Sequence, residues 1–238
     1  MRYRQTVIGV VWAVMRPLLT VIILTVIFNK VAKLPSEGDA PYALMVLAGM
    51  LPWMFFSTAV ADASNSLISN ANLVGKVYFP RLIVPTAAII VSVVDFLIGL
   101  LILAGMMIWY RYMPGWQILL LPVLLAMAFL AALGPGLWVT AMNVRYRDFR
   151  YVIPFIVQFG LYVSPVAFAF SHIPEKWRLL YSLNPMVGVI NGFRWAILGE
   201  ETPLYGESIA ISGAVIAVLL WLGVRQFRKL EKTFADLI

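Results

Sequence analysis

Six apolar runs, each close to the length that crosses a lipid bilayer, constrain this chain more than any other feature. A helix needs about 20 mostly apolar residues to span a hydrocarbon layer ~30 Å thick. The runs cover residues 10–31, 42–63, 82–109, 116–142, 151–170 and 209–224. Inside that layer every backbone N–H and C=O must be paired within the protein, so the runs are read as helices. The first is interrupted early by Arg16-Pro17, and the second holds Pro52. The fourth carries a Gly134-Pro135-Gly136 break near its end, and the fifth contains Pro154 and Pro165. Composition agrees: 62% of residues are hydrophobic and 12% charged, against about 25% charged in soluble domains. The expected fold class is an all-α polytopic membrane protein, residues 1–238 forming a single domain with six transmembrane helices.

The linkers set the orientation. With the N-terminus in the cytoplasm, the inside segments carry Arg2, Arg4, Arg16, Lys76, Arg81, Arg145, Arg147, Arg150, Arg225, Arg228, Lys229 and Lys232. The outside segments carry Lys30, Lys33, Arg111, Lys176, Arg178 and Arg194. The excess of basic residues on one side predicts that both termini are cytoplasmic. The net charge of +7 therefore reflects membrane orientation, and no nucleic-acid partner is expected. No cleavable signal peptide is visible ahead of the first run.

Two linkers stand apart. Residues 65–81 (NSLISNANLVGKVYFPR) are polar at first and basic later, with Leu67, Ile68, Leu73, Val74 and Val77 at roughly helical spacing. That pattern predicts a short amphipathic helix on the cytoplasmic membrane surface, either a linker or a handle for a soluble partner. Residues 172–207 are moderately apolar and broken by Asn184-Pro185. They read as two short helices over about 174–199, a re-entrant hairpin dipping into the outer leaflet.

Catalytic chemistry is hard to place on this sequence. There are no cysteines, and His172 is the single histidine, so no metal site is expected. Gly75-Lys76 lacks the Gly-rich loop and the following Ser or Thr of a phosphate-binding loop, so no ATP site is expected either. Asp95 lies deep in the third run, where an ionisable residue is costly; it is read as a packing residue or a functional one. Many aromatics mark interfacial belts. Trp53, Phe55 and Phe56 lie inside a run, and Phe155, Phe159 and Tyr162 follow in the fifth; their rings either pack a core or line a path for sugars. Arg2, Arg4 and Arg16 are candidates for a lipid phosphate, or plain orientation anchors.

Taken together, these pieces resemble the permease subunit of type-two ABC exporters for polysaccharides, the O-antigen, capsule and teichoic-acid group. The resemblance rests on Tyr3-Arg4-Gln5-Thr6 with Gly9, Leu51-Pro52-Trp53 with Phe55-Phe56-Ser57, and Val77-Tyr78-Phe79-Pro80-Arg81. It continues through Asn143-Val144-Arg145-Tyr146-Arg147-Asp148, Ser164-Pro165, Asn184-Pro185 with Gly192-Phe193-Arg194-Trp195, and Phe227-Arg228 with Glu231.

The resemblance implies a homodimer around a central channel, two copies of a separate nucleotide-binding ATPase subunit, and a lipid-linked polysaccharide as cargo. ATP and magnesium would be bound by that subunit, with no cofactor in this chain, and the site would be the bacterial inner membrane. The segment between helices 2 and 3 would be a cytoplasmic coupling helix. Coupling would fall to Leu73, Val74, Lys76, Val77, Tyr78, Phe79 and Arg81, with Arg145, Arg147 and Asp148. Asn184, Pro185, Phe193, Arg194 and Trp195 would belong to an outer gate. Family members usually carry an amphipathic interface helix before Tyr3, and a chain lacking it is expected to dock its ATPase or recruit cargo less well. Two other readings stand beside this one: a permease of the same architecture exporting drugs or another lipid-linked substrate, and a membrane-embedded enzyme acting on lipid-linked sugars.

Overall fold

A computed structural model describes residues 7–33, 35–36, 40–77, 79–146, 148–199, 202–232 and 234, and all regular structure among them is helical. Four stretches are long and apolar enough to cross a membrane. They are α2 (Tyr42–Ser69), α4 (Ile83–Trp109), a 3₁₀ turn continuous with α5 (Trp116–Arg145), and α9 (Gly206–Glu231). Two further apolar segments are shorter, Pro17–Val31 and α6 (Phe149–Val163).

The interruptions expected at prolines fall elsewhere than predicted. Helix α1 (Val7–Leu24) runs through Pro17, and its geometry changes later, widening into π-helix over Thr25–Val31. There the Ala32 amide donates to the Ile27 carbonyl at 2.9 Å, one residue further back than in an α-helix. Helix α5 (Leu121–Arg145) likewise continues through Gly134-Pro135-Gly136. Gly134 serves packing instead: a Cβ there would stand 2.7 Å from the backbone of Leu219 in α9, and one on Gly223 would stand 2.1 Å from the Gly134 carbonyl oxygen. The two helices cross backbone on backbone, as small residues allow in membrane bundles.

The fifth run does break. Helix α6 stops at Val163, and Ser164 is extended (φ −101°, ψ 149°), because a residue followed by proline is driven out of the α region. The expected span to residue 170 is thus a helix of 15 residues followed by irregular chain whose Ser164, Pro165, Val166, Ala169 and Phe170 are buried. Irregular backbone at such depth needs partners for its carbonyls, and they are supplied from a distance. The Arg194 guanidinium donates to Val166 O at 2.7 Å and to Phe168 O at 2.8 Å, and the Tyr42 hydroxyl donates to Ala167 O.

Helix α2 is the axis of the fold. Residues Leu44 to Trp53 are all buried, and the helix packs against α4, α5, the helix Pro185–Leu198 and, more lightly, α1 and α6. The hairpin arms predicted around Asn184-Pro185 form as α7 (Glu175–Tyr181) and α8 (Pro185–Leu198), but they differ in character. None of α7 is buried, whereas nearly all of α8 is. Asn184 caps α8, its Oδ1 accepting from the Met186 amide at 3.0 Å, with Pro185 at the first helical position. A second, smaller core lies at the far end of the bundle, built from Leu67, Val74, Leu137, Val144, Phe227 and Phe234.

Candidate functional site

Trp53 borders two clefts. Its indole is nearly buried, with the Phe56 ring tilted against it at 5.5 Å. Helix α6 closes on it at Gly160, where a Cβ would stand 2.6 Å from Trp53 Cη2. One cleft, about 350 Å³, is apolar and lined by Trp53, Phe56, Ile156, Phe159 and Pro185, with Asn184 at its edge. The other, about 530 Å³, opens between α1, α2 and α6 and is mixed, with Thr20, Ser57, Thr58, Asp62 and Gln158 among apolar neighbours such as Met50, Met54 and Leu161.

Helix α6 carries the expected aromatics on its open side. Phe155, Phe159 and Tyr162 are 69%, 60% and 68% exposed, and Phe155 stacks on Phe159 with centroids 6.4 Å apart and planes within 15°. Tyr151, which sequence reasoning passed over, is 69% exposed and completes the row. Its place four residues before Phe155 is the helical spacing that could have found it. Phe55 turns away from both clefts. Its ring meets Phe96 edge-on at 5.9 Å, and Phe96 meets Phe193 at 5.7 Å, a chain of rings through the core of α2, α4 and α8. Phe55 and Phe193 are core residues, both almost fully buried.

Arg194 is also no surface residue. It is fully buried and, besides Val166 and Phe168, donates to Met45 O on α2 at 3.3 Å. Gly49 makes room for it, a Cβ there lying 3.0 Å from Nη2. The outside basic residues counted for orientation therefore include one that stands in the protein interior. Nearby, burial pushes the Tyr181 phenol up to about 12 against the opposing pull of the Arg194 charge. Trp195 is half-buried and packs edge-on against Trp116 at 6.0 Å.

The amphipathic helix expected over 65–81 is shorter than predicted. Helix α2 continues to Ser69, and a turn at Asn70 leads into α3 (Ala71–Lys76). Val74 is buried in the second core beside Val144 at the end of α5, whereas Leu73, Lys76 and Val77 are exposed and Phe79 is half-buried. Arg81 is tied to the last turn of α9: its amide donates to Glu231 Oε1 at 3.2 Å and its guanidinium to the Glu231 carbonyl. Arg145 is exposed with its guanidinium 5.2 Å from the Tyr146 ring, and Asp148 is exposed at the start of α6. The structure thus gathers most of the predicted coupling residues at one end of the bundle. Tyr78 and Arg147 lie outside the described residues, as do Arg2, Arg4 and the side chain of Arg16.

Among the described residues no group of His, Cys, Asp or Glu could hold a metal. Asp95 is half-buried on α4. A second acid, Asp62, is one that sequence reasoning passed over. With α2 reaching Ser69, Asp62 lies about two turns inside the helix, and Ser92 Oγ on α4 donates to its Oδ2 at 3.4 Å.

Residues 1–198 match the ABC-2 type transporter family. The chain belongs to that family. This ABC-2 type chain is 26% identical over 239 residues to the O-antigen export system permease protein RfbA of Myxococcus xanthus, covering 100% of this chain and 90% of the relative. It is 25% identical over 241 residues to RfbA of Klebsiella pneumoniae, again covering 100% and 90%. It is 23% identical over 239 residues to the polysialic acid transport protein KpsM of Escherichia coli, covering 97% and 89%. As an ABC-2 type membrane protein it is a transport subunit.

Proposed function

We propose that this chain is the membrane subunit of an ATP-driven polysaccharide exporter. Two copies would form the channel, each crossing the inner membrane six times with both termini in the cytoplasm. The segments Pro17–Val31 and Phe149–Val163 would be the two short crossings, completed by neighbouring helices. Two nucleotide-binding subunits would dock at the end that carries α3 and supply ATP hydrolysis with magnesium. The cargo would be a polysaccharide on a lipid carrier, entering from the cytoplasmic leaflet. The lipid phosphate would meet basic residues there, with Arg2, Arg4 and Arg16 as the candidates.

The observation that carries this reading is the row Tyr151, Phe155, Phe159 and Tyr162, open along one side of a helix too short to cross alone. Rings facing lipid would be ordinary, but half of this row is tyrosine, which suits a wet wall, and Phe159 shares a cleft with Trp53 and Phe56. Aromatic faces bind the apolar faces of sugars while releasing them readily, which suits a moving chain. The names of the relatives support a glycan as cargo, and the gathered end at α3 supports a docked motor.

The test is co-expression with a nucleotide-binding subunit. The two proteins should purify together and hydrolyse ATP. Replacing residues 77–81 by a Gly/Ser linker should abolish the association while circular dichroism stays unchanged. Undiminished association would remove the coupling role from this segment. Stimulation of hydrolysis by drugs, with no response to lipid-linked glycan, would transfer the assignment to another export substrate.

A further inference from the structure

The crossing of α5 and α9 leaves an open groove beside it. About 630 Å³ of space lies between the two helices, walled by Pro135 and Trp138 of α5 and by Leu219, Leu222, Arg225 and Lys229 of α9. Gly223 borders it too and has no side chain to fill it. The wall changes character along α9. Leu219 and Leu222 lie within its apolar run, while Arg225 and Lys229 stand just past the end of that run at Val224. The exposed indole of Trp138 faces them from α5, and indoles favour the depth where hydrocarbon gives way to headgroups. Arg225 and Lys229 are both exposed, one helical turn apart on the same face, where like charges repel. No carboxylate lines the groove, and among the described residues neither cation has a carboxylate partner. The Arg225 guanidinium rests instead 5.1 Å from the Trp221 ring.

We propose that this groove holds an anionic glycerophospholipid of the bilayer, its phosphate between Arg225 and Lys229 and an acyl chain along Leu219 and Leu222. A planar guanidinium matches phosphate oxygens with paired hydrogen bonds, and the ammonium adds a second charge. Basic pockets between membrane helices take anionic headgroups on this principle. Only 22% of the apolar stretch of α9 is buried, which leaves most of it to lipid or to a neighbouring chain. A second copy fits this groove poorly, because a two-fold axis through it would set the same cations of both chains against each other. The lipid is a resident of the membrane and not the cargo, so the site stands whatever the exported substrate. Lys229 lies one turn or less from Glu231, and the bound lipid therefore braces the end of α9 that holds Arg81.

Native mass spectrometry of the full chain, purified in detergent and stripped of lipid, tests the site. The probes are dioleoylphosphatidylglycerol, dioleoylphosphatidylcholine with the same chains and no net charge, and glycerol phosphate as the headgroup alone. The phosphatidylglycerol should be retained in preference to the phosphatidylcholine, and glycerol phosphate should not be retained. Arg225→Gln combined with Lys229→Gln should weaken phosphatidylglycerol binding roughly tenfold or more. Arg228→Gln combined with Lys232→Gln removes the same charge from the same tail, at exposed positions outside this groove. That pair should change binding by no more than about twofold. Arg225→Gln alone serves if the first pair inserts poorly. Equal weakening by both pairs, equal retention of the two lipids, or glycerol phosphate bound as tightly as the lipid overturns the site. If the first pair instead turns a dimer into a monomer with lipid binding unchanged, the groove belongs to a second copy. If it only releases a co-expressed nucleotide-binding subunit, the groove belongs to that partner, and the lipid site is overturned in either case.

Discussion

Arg194 shows what one side chain does when a membrane helix is broken by design. Its guanidinium spans three carbonyls on two separate stretches, Met45 on α2 and Val166 and Phe168 in the chain after α6. Charged hydrogen bonds of this kind are among the stronger ones, and orphaned buried carbonyls are costly. Arg194→Met should therefore lower stability by about 3 kcal/mol or more, read as a drop in the thermal midpoint in detergent. Arg194→Lys should rescue little, because an ammonium is a point charge without the planar fork that reaches several acceptors. A variant as stable as wild type would show that water takes over the carbonyls. Charge counting assigned Arg194 to a loop because hydropathy registers that a residue is basic and not which way it points. Asp62 was passed over; it lies inside α2 because a helix is free to continue beyond the apolar run that marks where lipid ends.

At the scale of elements, the crossing of α5 and α9 depends on the absence of two side chains. A Cβ on Gly223 would overlap the Gly134 carbonyl, so the helices must separate to admit it. Gly223→Ala is expected to cost about 1–3 kcal/mol, the range for overpacking a tight contact. The check is thermal unfolding beside Gly213→Ala, a position on the same helix with open space around it. Matching midpoints would mean that the crossing adjusts without penalty. Glycines that pack and glycines that break look alike in a sequence, which is why Gly134-Pro135-Gly136 was read as an interruption. The six apolar segments, the paired helices around Asn184-Pro185 and the exposed aromatics of α6 were legible, because each follows from local length, turn chemistry or spacing. The role of Phe55 was not, since helix rotation is set by neighbours that hydropathy does not name.

Across the whole molecule, the link between Arg81 and Glu231 joins the segment after α3 to the end of α9, and Val74 leans on the same small core as Phe227. A push on α3 is thereby shared with α2, α5 and α9. Glu231→Ala should leave ATP turnover by a docked nucleotide-binding subunit near its wild-type rate while glycan export falls roughly fivefold or more, the range of typical coupling energies. Proportional loss of both would assign Glu231 to assembly. Full retention of both would leave the link without a part in transmission.

The buried guanidinium also bears on the order in which this protein can be made. Helix α8 carries into the protein interior a charge whose acceptors lie about 150 and about 30 residues earlier in the chain, so it is expected to settle only once α2 and the segment after α6 are in place. A chain cut off before Arg194 would leave the carbonyls of residues 166 and 168 without this donor, and is expected to be less stable than the full chain.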